Sequence, residues 1–147
     1  MTEQRHPGQK QRQLEPAVSK FKSSVDMATY TKHILSASTN GKGILVTGTG
    51  TTAPTTIHAT PAGTTSVDEI FLYAFNSGSA ANTVSIGWGG TLFPNDSIAV
   101  ILQAGLGRLL VADGRLLQNG NSIVAFSQVA SGTNSVVMDG FVNRITA

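Results

Sequence analysis

The sequence predicts an all-β fold: an antiparallel, jelly-roll-like β-sandwich with an extended N-terminal arm. Three observations carry this. Charged residues are 12% of the chain, about half the usual quarter, while Gly, Ser and Thr fill the polar positions. Solvent-facing helices favour Glu, Lys and Arg, so this composition suits strands and tight turns. Apolar runs of strand length recur from Ala28 onward, divided by Gly, Asn, Ser and Pro. No segment combines a helical apolar period with caps. Many short strands at regular spacing, separated by turn residues, are the signature of a sandwich or small barrel. An immunoglobulin-like sandwich is the runner-up, without its Cys–Trp–Cys signature, since the chain has no cysteine.

The elements follow in order. Strands are expected at Tyr30–Ser38, Gly43–Gly48, Thr55–Thr60, Val67–Asn76, Asn82–Gly89 and Ser97–Ala104. In the fifth, Val84, Ile86 and Trp88 share one side by the two-residue period. Ile70–Phe75 and Ile98–Leu102 are apolar on both sides. In an antiparallel protein such strands have a second face that is also covered, by a sheet, a loop or another subunit. Asn40-Gly41 reads as a type I′ turn. The near-repeat Gly107–Leu110 and Gly114–Leu117 places leucines seven residues apart. A coiled coil needs three or four heptads, and glycine disfavours helix by about 1 kcal/mol. The stretch is therefore expected to be a hairpin. Leu109–Ala112 goes up, Asp113-Gly114 turns, Arg115–Gln118 returns, and Asn119-Gly120 turns into the next strand. Ser122–Val129 and Ser135–Ile145 complete the set.

Composition changes near Met27, dividing an arm (residues 1–27) from the body (28–147). Residues 1–26 hold five basic side chains (Arg5, Lys10, Arg12, Lys20, Lys22) and three acidic ones, which is the chain's whole net charge of +2. The body holds five of each. With few apolar residues the arm cannot offset its own ordering entropy and is expected to be disordered until docked. Val18 and Phe21 are its candidate anchors.

The search for chemistry returns little. Without cysteine there is no disulfide, thiolate nucleophile or Cys-zinc site. His33 and His58 sit in expected strands with no second ligand at metal spacing, so no metal site or cofactor is expected. Asp68-Glu69 are adjacent, so they face opposite sides of a strand or sit at its start, and neither makes the flanking carboxylate pair of glycoside hydrolysis. There is no G-x-S-x-G and no complete phosphate-binding glycine motif. No catalytic residues are expected. Basic residues of the body are too scattered for a specific nucleic-acid face. No run reaches the ~18 apolar residues of a membrane span, and no secretory signal opens the chain, so synthesis in a cytoplasm is expected. Trp88, set in Gly87–Gly90, fills a gap at a sheet end or offers a sugar-stacking platform.

Two segments carry a resemblance. "SVDEIFLYAFNSGSAANTVSIGWGG" (Ser66–Gly90) resembles a strand–turn–strand unit of small tailed-bacteriophage virion proteins. "LLVADGRLLQNGNSIVAFSQVASGTNSVVMDGFVNRI" (Leu109–Ile145) resembles their C-terminal half, closing on a "G-x-V-x-x-I" pattern. The resemblance implies a jelly-roll capsid decoration (cement) protein, or a tail or fibre-base module. Decoration proteins of this type form homotrimers on the outer shell, with arms reaching neighbours.

The expectation is thus a non-enzymatic virion protein, made in the bacterial host and bound to the major capsid protein or other virion proteins. Its arm residues Arg5, Lys10, Arg12, Val18, Lys20, Phe21 and Lys22 would dock on the shell, with Arg108 and Arg115 as rim or interface contacts. The alternative is a host-recognition module that binds carbohydrate through Trp88. A small jelly-roll enzyme is the third reading.

Overall fold

The computed structural model describes residues 27–90, 95–129 and 135–146. They form nine strands and no helix: β1 (Thr29–Ile34), β2 (Ile44–Leu45), β3 (Thr55–Ala59), β4 (Ser66–Asn76), β5 (Asn82–Trp88), β6 (Ser97–Leu102), β7 (Leu109–Gln118), β8 (Ser122–Ser127) and β9 (Val136–Thr146). One antiparallel sheet has the order β1-β9-β4-β7, with β2 also on β9, and the other β3-β8-β5-β6. Counting β1 and β2 as one interrupted strand leaves eight. Their orders are then 1-8-3-6 and 2-7-4-5, two Greek keys wound as a jelly roll.

The two long central strands define the first sheet. All eleven residues of β4 pair with β9, from Ser66↔Thr146 to Asn76↔Val136. The two-residue period turns Asp68, Ile70, Leu72, Ala74 and Asn76 inward, where all are buried. Across the gap, Ile57, Val84, Ile86, Ile123 and Ala125 of the second sheet meet them, with Met138 and Val142 of β9 completing the core. Gly140 is opposite Leu72, where the backbones approach closely. A Cβ there would collide with the Phe71 carbonyl oxygen.

The break between β1 and β2 is an excursion that ties the sheets together. Residues 35–43 leave β9, and Leu35 plugs the core at 1% exposure. Ser36 N–H donates to His58 Nδ1 at 3.0 Å, and Ala59 N–H donates to Ser36 Oγ at 2.8 Å. The excursion returns through Asn40-Gly41, both at positive φ (56° and 78°), with Lys42 N–H bonded to Thr39 C=O. That is the expected type I′ geometry.

The expected hairpin at Asp113-Gly114 is absent. Leu109–Gln118 is one continuous strand along β4. Ile70 stands opposite Arg115 and Phe71 opposite Asp113, so Gly114 is the extra residue of a β-bulge, at φ 71°. A second shift leaves Val111 extra between Leu110 and Ala112. One inserted residue reverses the side-chain parity. Ala112 and Leu117, five apart in sequence, therefore both face the core. The Asn119-Gly120 turn stands as expected, both residues at positive φ (65° and 71°). It carries the chain from β7 in one sheet to β8 in the other.

Candidate functional site

Three arrangements gather polar or aromatic side chains: a buried ion cluster, an outer aromatic face and the end of the sandwich at Trp88.

The cluster is built by parity. Asp68 shares the inward side of β4 with Ile70, and its register partner on β9 is Arg144. His58 comes from β3 of the opposite sheet, beside the shift in its pairing with β8. Asp68 is wholly buried, His58 is 1% exposed, and Arg144 reaches solvent with about a quarter of its side chain. Arg144 Nε donates to Asp68 Oδ1 at 2.7 Å and Nη2 to Oδ2 at 2.9 Å. His58 Nε2 lies 2.9 Å from Asp68 Oδ2. Because Ser36 N–H already donates to Nδ1, the ring proton sits on Nε2 and points at the carboxylate. Burial pushes the Asp68 carboxyl up, but the hydrogen bonds from Arg144 and His58 outweigh it and hold it below the usual carboxylate range. The same bond, against the effect of burial, raises Arg144.

Chemically this is a tie between sheets. A nucleophilic triad needs a hydroxyl on the imidazole nitrogen opposite the acid. Here a backbone N–H holds that nitrogen. Ser36 Oγ instead accepts from Ala59 N–H.

On the outer side of the first sheet, register aligns Tyr30, Lys32 and Ile34 of β1 with Ile145, Asn143 and Phe141 of β9. Val67, Phe71, Tyr73 and Phe75 of β4 continue the face, with Leu110 and Leu116 of β7. Phe71 and Phe141 are direct partners and stack, with ring centroids 4.9 Å apart. Lys32 Nζ lies 4.1 Å from the Phe141 centroid. Arg108 covers Tyr73 at 4.4 Å and bonds Asp139 Oδ1 through Nη2 at 2.6 Å. No described layer covers this face. Its β4 side chains are half-buried, and Tyr30, Ile34, Leu110 and Leu116 are exposed.

At the sandwich end, Trp88 lies on the core side and is 9% exposed. Arg115, opposite Ile70 and so facing the core edge, places its guanidinium 4.5 Å from the indole ring. A sugar-stacking platform requires an open ring face. Here the ring is 9% exposed and Arg115 lies over it, the geometry of a side chain filling the end of the sheet.

Of the expected site residues, the structure thus brings Arg115 to Trp88 and Arg108 to Tyr73 and Asp139. The two arginines are held by internal contacts at separate places, Arg115 within β7 and Arg108 just before it. Arg5, Lys10, Arg12, Val18, Lys20, Phe21 and Lys22 lie outside the described residues. Among the described residues no group of three His, Cys, Asp or Glu side chains could hold a metal, and no helix is long and apolar enough to cross a membrane. A surface cleft of about 370 Å³ is lined by Val67, Leu116, Leu117, Gln118 and Asn121, with no titratable side chain. Sequence reasoning missed the Asp68 cluster. Its signal was present: Asp68 shares the inward parity of Ile70, Leu72 and Ala74 on β4, and Arg144 that of Met138 and Val142 on β9.

The chain matches no family model and no curated protein.

Proposed function

We propose that the chain is a non-enzymatic structural protein of a bacteriophage particle, a capsid decoration (cement) protein that binds the outer shell as an oligomer and stabilises the head. The observation that carries this reading is the outer face of the first sheet. Tyr30, Ile34, Leu110 and Leu116 stand exposed beside half-buried Phe71, Tyr73 and Phe75. Monomeric soluble proteins rarely leave so large an apolar face uncovered. A body with this face is suited to lying against neighbours. The ion cluster serves packing between the sheets. A jelly roll by itself supports many functions, so the fold adds only compatibility. The mechanism is mechanical. Each bound copy buries apolar area across subunit junctions, and many modest contacts on one shell reinforce one another. The basic arm docks on acidic shell surface.

Shells lacking the chain, mixed with purified protein, provide the test. Density on the outer capsid surface and a higher temperature of particle disruption are expected. A chain without residues 1–26 should keep its β-sheet circular dichroism and bind the shell weakly. Density confined to the tail, or no binding to any particle, would overturn the reading.

A further inference from the structure

With β1 and the two-residue β2 counted as one interrupted strand, the two sheets end in four edge strands, β1, β7, β3 and β6. Three carry devices that discourage pairing with another chain. β7 has two bulges and places Asp113 and Arg115 along its length. β1 carries Lys32. β3 is five residues long and has a register shift between Thr56 and His58. The fourth has none of these. β6 reads Ser-Ile-Ala-Val-Ile-Leu, without charge, proline or glycine. Its register to β5 is unbroken from Ser97↔Gly87 to Leu102↔Asn82. Among the described residues no strand pairs with the other side of residues 98–102. A flat, apolar, unprotected edge is a template for strand addition, and proteins that keep one have it covered in the working state.

Beside this edge the surface is apolar as well. Ile101 is 65% exposed, Leu106 73% and Leu109 45%. They line one cleft of about 140 Å³, whose sole charged lining residue, Arg108, is turned to Asp139.

We propose that β6 pairs edge to edge, antiparallel, with β6 of a second copy of this chain. The occupant follows from complementarity. A two-fold pairing centred on Val100 keeps the core-facing Ile98, Val100 and Leu102 of both copies on one side. On the other side it sets the small Ala99 opposite the large Ile101 of the second copy. The strand is uncharged and the five basic and five acidic side chains of the body cancel, so the two bodies carry no net charge to repel one another. The Leu106–Leu109 corner extends the contact. The pairing concerns contacts between copies in solution and does not depend on the shell reading.

Two measurements on the full chain test it. The sequence has no cysteine, so Ala99→Cys with Ile101→Cys introduces the only thiols. Mild oxidation should give a covalent pair of chains, since both in-phase antiparallel registers bring a thiol opposite a thiol or its neighbour. In sedimentation, the unmodified chain should exceed 15.3 kDa, the mass of one copy. Ile101→Lys, at an exposed outward position, should weaken association by about a hundredfold or more, because each lysine is set against the apolar Ala99 of the other copy and lies diagonal to a like charge, with β-sheet circular dichroism unchanged. A one-chain mass for the unmodified protein, an unchanged mass for Ile101→Lys, or no covalent pair from the cysteine variant would overturn the proposal. Failure of shell binding alone would leave these readouts as they are.

Discussion

Replacing Asp68 by Asn tests the buried cluster with little change in volume. The substitution removes the charge and turns one acceptor oxygen into a donor. Three donors now point at that carboxylate: Arg144 Nε at 2.7 Å, Arg144 Nη2 at 2.9 Å and His58 Nε2 at 2.9 Å. An amide there accepts from some of them and opposes the others. Breaking a buried ion pair from one side costs about 3–5 kcal/mol. Arg144 is partly solvated and recovers some hydration, whereas His58 is 1% exposed and recovers none. The expected loss is therefore near the lower end, about 3 kcal/mol. For a body of this size that corresponds to a fall of roughly 10 °C in Tm. Urea unfolding followed by circular dichroism measures it. The pH dependence gives an independent check. Asp68 has a folded pKa below its unfolded value, so its contribution is full above the unfolded pKa and disappears as pH falls through the folded one. The stability difference between the unmodified chain and Asp68→Asn should be constant above about pH 5 and shrink on further acidification. A loss under about 1 kcal/mol at neutral pH would be the size of an exposed pair and would refute the tie between sheets. A difference that grows towards acid would do the same.

Other substitutions read the backbone and the Trp88 cap. Gly140→Ala meets the Phe71 carbonyl and should cost more than Gly114→Ala, because β4 and β9 would have to separate along the centre of the sheet. Gly114→Ala meets only the movable Glu69 side chain at 3.3 Å, and should cost about 1–2 kcal/mol from its positive φ. Both are measured by urea midpoint, and equal losses would contradict the close-approach argument. Arg115→Ala should expose the single tryptophan, shift its fluorescence to longer wavelength and cost about 0.5–1 kcal/mol. An unchanged spectrum would mean that the guanidinium does not shield the ring.

The sandwich was legible because its signals are local. Alternation in β5, the Asn-Gly turns and the spacing of apolar runs each depend on a few neighbouring residues. Strand order was not, since β1 finds β9 more than a hundred residues away. The misread hairpin has a specific cause. Asp113-Gly114 is strong turn chemistry, but positive φ at one glycine serves a G1-type bulge as readily as a reversal. What separates them is the neighbouring strand, and β4 is long enough to pair across both halves. The ion cluster was hidden differently. Adjacent Asp68 and Glu69 face opposite sides of a strand, and only the parity set by Ile70, Leu72 and Ala74 tells which of the two turns inward. Only the register then brings Arg144 to it.

How the body spends its charges bears on how it meets partners. Arg144 is bound to Asp68, Arg108 to Asp139 and the Tyr73 ring, Lys32 lies on Phe141 and Arg115 on Trp88. Four of the five basic side chains of the body are thus engaged within the fold. Little charge remains to steer encounters or to hold copies apart. The exposed leucines, isoleucines and tyrosine of the first sheet and the β6 corner are then the main resource for association. Such contacts persist at high salt, because burial of apolar surface is not screened. The arm has the opposite character, holding all of the net charge and few apolar residues. If the body meets other copies and the arm meets a shell, as proposed, the two contacts would respond differently to ionic strength. A chain divided in this way would assemble through one part while the attachment made by the other stayed adjustable.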